Sequence, residues 1–243
     1  MTTVAEHGRL GNRIIRNLAV SLLAEKYNLQ ADYCDKELIS KLGIELYSGN
    51  KRYTQTVQLT DNNYFRIYNN INFNYNLYAS EFYQTKEITN LLYNYLHTDK
   101  IMSNIIKNNQ FKERYNTNND LFIHIRLTDA AQWNPGITYY TNAIKNINFD
   151  KLYISTDDVN HNIIIKLQEL YPSSLLVKGN EITTIQFGST CKHIILSHGS
   201  FSAIIGYLSF FSNIYYPEYE LDKMWYGDMF SIDSDNWKKL SVK

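Results

Sequence analysis

The segment Leu121-Phe122-Ile123-His124-Ile125-Arg126-Leu127 decides the fold class of this chain. Its side chains alternate between two faces, as they do in a β-strand. Aliphatic side chains lie on one face, and Phe122, His124 and Arg126 lie on the other. The segment therefore predicts a buried strand that ends in two polar groups.

Strand and helix patterns alternate after this segment. The spacing of apolar residues predicts strands near 151–155, 175–177 and 193–196, and helices near 139–146, 163–170, 182–190 and 201–211. Strands that alternate with helices form a parallel sheet, so the predicted class is α/β. Ligands of such sheets bind at the carboxyl ends of strands. Polar residues cluster at those ends: Thr128-Asp129, Asp157-Asp158 and Ser197 to Ser202.

The first part of the chain repeats the strand–loop–helix pattern. A strand is predicted at Thr2 to Ala5, a turn at Gly8 to Gly11, and a helix over 13–26 with Asn12 as its N-cap. Helices are also predicted over 85–95 and 99–107, whereas residues 32–82 show no clear pattern. The polar stretch Asn116 to Asp120 predicts a domain boundary, which divides the chain into 1–117 and 118–243.

Composition limits the classes of function. The chain has 243 residues, with 24 Lys+Arg balanced by 24 Asp+Glu, so nothing favours a nucleic-acid partner. We expect no signal peptide, no membrane span and a cytoplasmic location. The abundance of tyrosine is typical of an AT-rich genome, such as that of a large virus, for which the location would be the host cytoplasm. Cys34 and Cys191 are expected to be structural thiols, and two cysteines alone cannot form a zinc site.

The segment Ser197-His198-Gly199-Ser200-Phe201-Ser202 predicts an anion site. It joins a strand to an apolar helix, and the first turn of a helix offers free N–H groups and the positive end of its dipole. Gly199 would let a ligand approach the backbone, and Ser200 and Ser202 would add hydroxyl donors. The alternative is that Ser200 is an ordinary N-cap.

Other polar groups have both a functional and a structural interpretation. The fork of Arg126 suits a diphosphate, but a salt bridge to a nearby carboxylate is equally consistent with its position. His124 could be a satisfied core histidine. Asp157 and Asp158 are adjacent and point in different directions, so one could bind a nucleoside and the other cap a helix. They are weak evidence for a metal site. Gly8 to Arg13 is neither a dinucleotide fingerprint nor a P-loop.

Six short motifs follow one another along nearly the whole chain: Gly8-Arg9-Leu10-Gly11-Asn12-Arg13, Phe82-Tyr83-Gln84-Thr85-Lys86, His124-Ile125-Arg126-Leu127-Thr128-Asp129, Ile154-Ser155-Thr156-Asp157-Asp158, Ser197-His198-Gly199-Ser200-Phe201-Ser202 and Asp235-Asn236-Trp237. In order and spacing they resemble the α-1,2-fucosyltransferase family (glycosyltransferase family 11) and, more distantly, the α-1,6- and protein O-fucosyltransferases. The third and fifth motifs, H-x-R-R-G-D and S-N-S-S-F-S-W-W in that family, are the most specific in combination.

The resemblance implies a GT-B-like fold, with two Rossmann-like domains and a donor-binding cleft between them. Residues 1–117 would form the acceptor side and 118–243 the nucleotide-sugar side. The implied reaction is an inverting, metal-independent transfer of a sugar, typically fucose from GDP-fucose, to a glycan hydroxyl. The nucleotide sugar would be a co-substrate, and no cofactor is expected.

The resemblance also implies roles for individual residues. Arg126 would stabilise the leaving diphosphate, and the remaining donor-binding residues would be Gly11, Asn12, His124, Asp157, Asp158, Ser200, Phe201 and Ser202. An inverting reaction needs a base for the acceptor hydroxyl. Glu6 and His7 precede the glycine loop and are our candidates, although Glu6 could be a surface residue and His7 a turn residue.

The chain departs from the family at several positions. Leu127 replaces the second arginine of the third motif, Thr128 replaces its glycine, and Ala203-Ile204 replaces the aromatic pair after the fifth. The donor could therefore be another GDP-, UDP- or dTDP-sugar, as in a rhamnosyl or galactosyl transferase. A third possibility is a non-catalytic module that binds a nucleotide or a glycan. The sequence does not indicate the acceptor or the oligomeric state.

Overall fold

The computed structural model describes residues 1–218 and 228–242. Strands in these ranges form two sheets, and all of their pairings are parallel. The first sheet has the order β2-β1-β4-β3, with strands Thr2–Val4 (β1), Ala31–Asp32 (β2), Thr56–Leu59 (β3) and Asn76–Ala79 (β4). The second has the order β10-β9-β8-β5-β6-β7, with strands Leu121–Ile125 (β5), Leu152–Thr156 (β6), Leu175–Leu176 (β7), His193–Ile195 (β8), Asn213–Pro217 (β9) and Trp237–Leu240 (β10).

Helices alternate with these strands. Their bounds are Leu10–Tyr27 (α1), Lys36–Ser40 (α2), Tyr64–Tyr68 (α3), Lys86–Leu96 (α4), Asp99–Asn108 (α5), Ile137–Lys145 (α6), Asn162–Leu170 (α7), Glu181–Gly188 (α8) and Ser200–Tyr207 (α9). The predicted α/β class is confirmed, and two parallel sheets with helices are the arrangement of a GT-B-like fold. No helix within the described ranges is long and apolar enough to cross a membrane.

Each sheet has one point where the strand order reverses. In the second sheet the chain runs from β5 to β6 and β7 on one side, then returns to place β8 on the other side of β5. In the first sheet it runs from β1 to β2, then places β4 on the opposite side of β1. Neighbouring loops diverge at such switch points and leave a crevice at the carboxyl ends of the strands, which is where ligands of these sheets bind.

Strand β5 has the two faces that its sequence predicts. Phe122 packs in the larger hydrophobic cluster, which also contains the buried residues of α1 and α9. Leu121, Ile123 and Ile125 pack in a second cluster with α6 and α7. Helices therefore cover both faces of the second sheet.

The larger cluster extends across both sheets without interruption. Helix α1, which follows β1, packs directly against α9, which follows β8. The contact is closest at Gly11, where an added Cβ atom would lie 2.4 Å from the backbone nitrogen of Phe201. The two halves thus share one apolar interior. The predicted boundary between residues 117 and 118 falls between the last strand of the first sheet and β5, and it stays a prediction.

Some local predictions were wrong. Asn12 does not cap α1, because the helix begins at Leu10 and has Arg9 at its N-cap position. Gly8 turns the chain with φ 81°, and the helix starts three residues before the position that the sequence predicts. Asn12 therefore lies within the first turn. Strands β9 and β10 were not predicted, and β3, α2 and α3 lie in the segment whose pattern was unclear.

Candidate functional site

The site lies where β5 and β8 end side by side. Ile123 of β5 is in register with Ile195 of β8, so the loops after the two strands leave the sheet together. One loop carries Arg126 and Asp129, and the other carries His198 and leads into α9 at Ser200. Two of the motifs found in the sequence are therefore brought together at the switch point of the second sheet.

Arg126 forms a bidentate ion pair with Asp129. Its Nη2 atom lies 2.9 Å from each carboxylate oxygen, and its Nε atom lies 3.3 Å from one of them. The Arg126 side chain is mostly buried, whereas that of Asp129 is half exposed. The neighbouring guanidinium groups hold the pKa of Asp129 below its usual range despite partial burial. In the chain without ligand, Arg126 is therefore in a salt bridge, which is one of its two predicted interpretations. Because Asp129 is half exposed, a ligand could replace it as the partner of the guanidinium.

The amino end of α9 lies directly beside this guanidinium. Gly199 has φ 90°, and a Cβ atom there would come within 3.3 Å of Arg126 Nη1. No side chain caps the helix. The interpretation of Ser200 as an ordinary N-cap is therefore wrong: Ser200 is the first helical residue, and its hydroxyl donates to Asn12 Oδ1 at 2.5 Å. Free helical N–H groups and one guanidinium point to the same small region.

His124 projects from the end of β5 towards α9. Its Nδ1 atom lies 2.6 Å from Ser202 Oγ, and its ring lies 5.1 Å from that of Phe201. Burial lowers the pKa of His124 to about 3, and the positive charge of Arg126 adds to this effect. His124 is therefore neutral at pH 7. It is a satisfied histidine that fixes Ser202 and Phe201 in the first turn of α9.

Asp157, at the end of β6, holds the loop after β5. Its carboxylate accepts hydrogen bonds from the backbone N–H of Leu127 at 2.7 Å and from the Thr128 hydroxyl at 2.6 Å. These donors lower its pKa in spite of burial. Asp158 accepts from the backbone N–H of Asn160 at 3.0 Å, within the turn before α7. Both carboxylates thus form hydrogen bonds that stabilise loops. That either one contacts a nucleoside stays a prediction.

The switch point of the first sheet meets that of the second. Asn12 Oδ1 accepts from Ser200 on α9 and also from Gln84 Nε2 at 2.9 Å. Gln84 follows β4 and is fully buried. Residues from the first, second and fifth motifs therefore form one hydrogen-bonded chain across the seam between the halves. Gly11, one residue earlier, permits this close approach of α1 to α9.

Arg9 is a functional candidate that the sequence analysis did not select. Its guanidinium lies 3.3 Å from Asp129 and 3.7 Å from Asp157, and its side chain is half exposed. It thus reaches from the N-cap position of α1 to the loops of the second sheet. The only signal in the sequence was its place between the loop glycine and the helix start. Two guanidinium groups, Arg9 and Arg126, therefore share one carboxylate.

The two candidate bases differ in availability. Glu6 and His7 both follow β1 and are exposed. His7 Nε2 lies 2.9 Å from Nη2 of Arg16, so its lone pair accepts an arginine proton. Partial burial and the charge of Arg16 lower the pKa of His7. Glu6 is exposed on the same loop, and its role as the base stays a prediction.

Arg16 is fully buried and holds this loop through hydrogen bonds to the backbone. Its guanidinium donates to the backbone carbonyls of Ala5, His7 and Glu81 at 2.8 to 2.9 Å. These bonds tie the end of β1 to the end of β4. Among the described residues, no group of three or more His, Cys, Asp or Glu side chains could hold a metal ion.

Comparisons with known proteins add little to this geometry. No protein-family model and no curated protein matches the chain. Among solved structures it is similar to NodZ α-1,6-fucosyltransferase, from a crystal soaked with GDP-fucose, with 14% sequence identity and a TM-score of 0.37. The alignment covers 61% of this chain and 56% of that enzyme, so the chain spans little more than half of its length. Membership of a fucosyltransferase family stays a prediction.

Proposed function

We propose that this chain is a glycosyltransferase that moves fucose from GDP-fucose to a glycan hydroxyl, with inversion at the anomeric carbon. One observation carries the proposal: the switch points of two parallel sheets meet, and four separate motifs converge there on an uncapped helix start flanked by Arg9 and Arg126. Anionic ligands with a nucleotide part suit such a crevice.

The leaving diphosphate would be stabilised by fixed positive groups. In an inverting transfer the acceptor oxygen forms a bond to the anomeric carbon, and the bond from that carbon to the phosphate oxygen breaks. Negative charge then grows on the diphosphate. This charge would be stabilised by Arg126, Arg9 and the N–H groups of α9. The ion pairs of Asp129 with the two guanidinium groups would weaken as the diphosphate binds them. Preorganised groups of this kind usually contribute the largest share of rate enhancement.

The other residues of these motifs would support this arrangement. Ser202 and Phe201 are held by neutral His124 in the first turn of α9, close to where phosphate would lie. Asn12 would orient Ser200 and contact the donor or the acceptor from the opposite half. Asp158, whose carboxylate is held only within a turn, is the better placed of the two aspartates to contact the nucleoside.

The acceptor proton requires a base, and Glu6 is our candidate. It lies on the loop after β1, which Arg16 holds against the loop after β4. His7 is a weaker candidate because its Nε2 lone pair already accepts from Arg16. Replacement of Glu6 by glutamine is expected to abolish transfer while leaving GDP binding intact, as measured by turnover and calorimetry.

The donor sugar can be tested directly. Leu127, which replaces a family arginine, is buried in the second hydrophobic cluster and does not face the site, so it does not select the donor by contact. GDP-, UDP- and dTDP-sugars should be compared by thermal shift, and those that bind should be tested for turnover with glycan acceptors. Preference for a UDP- or dTDP-sugar would refute GDP-fucose as the donor. Inhibition by EDTA with recovery in Mn²⁺ would refute the metal-independent mechanism.

A second candidate function is a nucleotide- or glycan-binding module without catalysis. The engaged lone pair of His7 favours it, because only Glu6 then remains as a base near the loop. Tight GDP binding without turnover of any bound donor would support this second candidate.

A further inference from the structure

A buried hydrogen-bond network beside the site fixes the proton of His198. Ser197 Oγ is fully buried and receives two donors, the Tyr140 hydroxyl at 3.1 Å and the backbone N–H of Arg126 at 3.4 Å. Tyr140 in turn accepts from Asn134 at 3.0 Å, so its own proton points to Ser197. With both lone pairs engaged, the Ser197 hydroxyl donates to His198 Nδ1 at 3.1 Å. His198 therefore carries its proton on Nε2.

That Nε2–H group is a buried donor without an acceptor. His198 is 9% exposed, and its Nε2 atom makes no hydrogen bond within normal distance. Burial and the charge of Arg126 lower the pKa of His198 to about 4, against an interaction with the Ala130 backbone that raises it. That backbone group does not meet hydrogen-bond geometry with Nε2, so the N–H remains unsatisfied. A buried donor without a partner is costly and rare in proteins, so it calls for a ligand or another function.

The surroundings identify the chemistry of the missing acceptor. His198 immediately precedes Gly199 and the uncapped start of α9, and Arg126, Asp129 and Asp157 all act on it electrostatically. The Arg126 guanidinium lies against Gly199. The groups nearest to Gly199 are the Arg126 guanidinium and the uncapped N–H groups of α9, and both favour an anionic oxygen as the acceptor.

We propose that His198 Nε2–H binds a phosphate oxygen of the nucleoside diphosphate, as a neutral donor beside Arg126. The inference rests on the proposed function and adds a binding residue to it. Because Ser197 fixes the tautomer before the ligand arrives, the donor needs no reorganisation. The same network connects Ser197 to the backbone of Arg126, so His198 and Arg126 are held at a fixed position relative to each other.

Two substitutions separate this role from simple packing. His198→Asn can keep the contact to Ser197 but is too short to reach the position of Nε2, whereas His198→Gln can place an amide N–H near it. We expect His198→Asn to raise the Kd for GDP and for inorganic pyrophosphate by about tenfold or more, the factor for a hydrogen bond to a charged acceptor. His198→Gln should restore most of the affinity.

His193→Asn is the matched control. His193 begins β8, the strand that His198 follows, and it also has a buried ring nitrogen without a partner. It lies at the amino end of the strand, away from the site. We expect its substitution to leave both affinities unchanged.

A measurement on the unaltered protein avoids dependence on variants that fail to fold. In ¹⁵N-histidine spectra, His198 should show a protonated Nε2 without ligand, and this N–H proton should move downfield on saturation with GDP. An unmoved resonance, or equal GDP affinity in His198→Asn, overturns the inference while leaving GDP binding intact. Failure of the unaltered protein to bind GDP or pyrophosphate overturns the proposed function, and this inference with it.

Discussion

Gly11 offers the sharpest test of how the two halves fit. A Cβ atom at this position would lie 2.4 Å from Phe201 N, 2.6 Å from Ser200 C and 2.8 Å from Phe201 Cα. All three are backbone atoms of α9, so no flexible side chain can move aside. Non-bonded carbon contacts need about 3.5 Å, so Gly11→Ala must separate the two helices by roughly 1 Å.

The cost follows from that displacement. Overpacking of a filled interior typically destabilises by about 1–3 kcal/mol. In a chain of this size each kcal/mol lowers Tm by about 2–4 °C. The shift also moves Asn12 away from Ser200, whose hydrogen bond joins the halves. We therefore expect a lower urea midpoint together with weaker GDP binding.

Urea denaturation followed by tryptophan fluorescence measures the first effect, and calorimetry with GDP measures the second. Glu25→Ala is a suitable control, because Glu25 lies exposed on the same helix. Its effect should stay within about 0.5 kcal/mol. A Gly11→Ala variant with the midpoint of the unaltered protein would refute the close approach of α1 to α9.

Further substitutions and a pH series test other parts of the structure. Arg126→Ala should lower turnover of GDP-fucose by about 100-fold or more with little change in urea midpoint, since its side-chain partner is half-exposed Asp129; undiminished turnover would contradict its role. Arg16→Met leaves three backbone carbonyls without their donor and should cost about 3 kcal/mol in a urea titration, so an unchanged midpoint would show that the buried guanidinium is dispensable. The free energy of unfolding should be highest above pH 6.5 and should fall as the pH drops towards 5.5. The folded chain holds the pKa of His124 at about 3 and that of His198 at about 4, whereas the unfolded chain takes up a proton at each near pH 6.5. The loss by pH 5.5 should be about 1 kcal/mol per histidine, and a midpoint that does not change with pH would contradict these pKa values.

The sequence predicted elements whose apolar periodicity is strong. Strand β5 and its two faces follow from simple alternation, and α9 follows from an apolar run after a small-residue loop. In contrast, β10 reads Trp-Lys-Lys-Leu and lies at the edge of its sheet, so charged residues hide it. Strands β3 and β4 read Thr-Val-Gln-Leu and Asn-Leu-Tyr-Ala within a stretch rich in Asn and Tyr, so polar residues interrupt their apolar signal.

The sequence predicted many residues of the site but not the contacts between them, and it did not select Arg9 or His198. Motif order identified Arg126 and Asn12, yet no local pattern shows that Arg9 reaches Asp129 across the seam, because this contact depends on how the two sheets are placed. The same is true of the tautomer of His198, which depends on a tyrosine and a serine from different elements. Both the Arg9–Asp129 contact and the tautomer of His198 depend on tertiary structure, which local sequence patterns do not encode.

The interior shared by both sheets has a consequence for how the chain comes apart. Fragments cut between residues 117 and 118 would each retain a sheet. The apolar surfaces of α1 in one fragment and of α9 in the other would, however, become exposed to water. We expect neither fragment to remain in solution alone, and mixing them to restore an ordered complex. For the same reason the intact chain should melt in a single transition, and donor entry should depend on loop movement rather than on rocking of the halves.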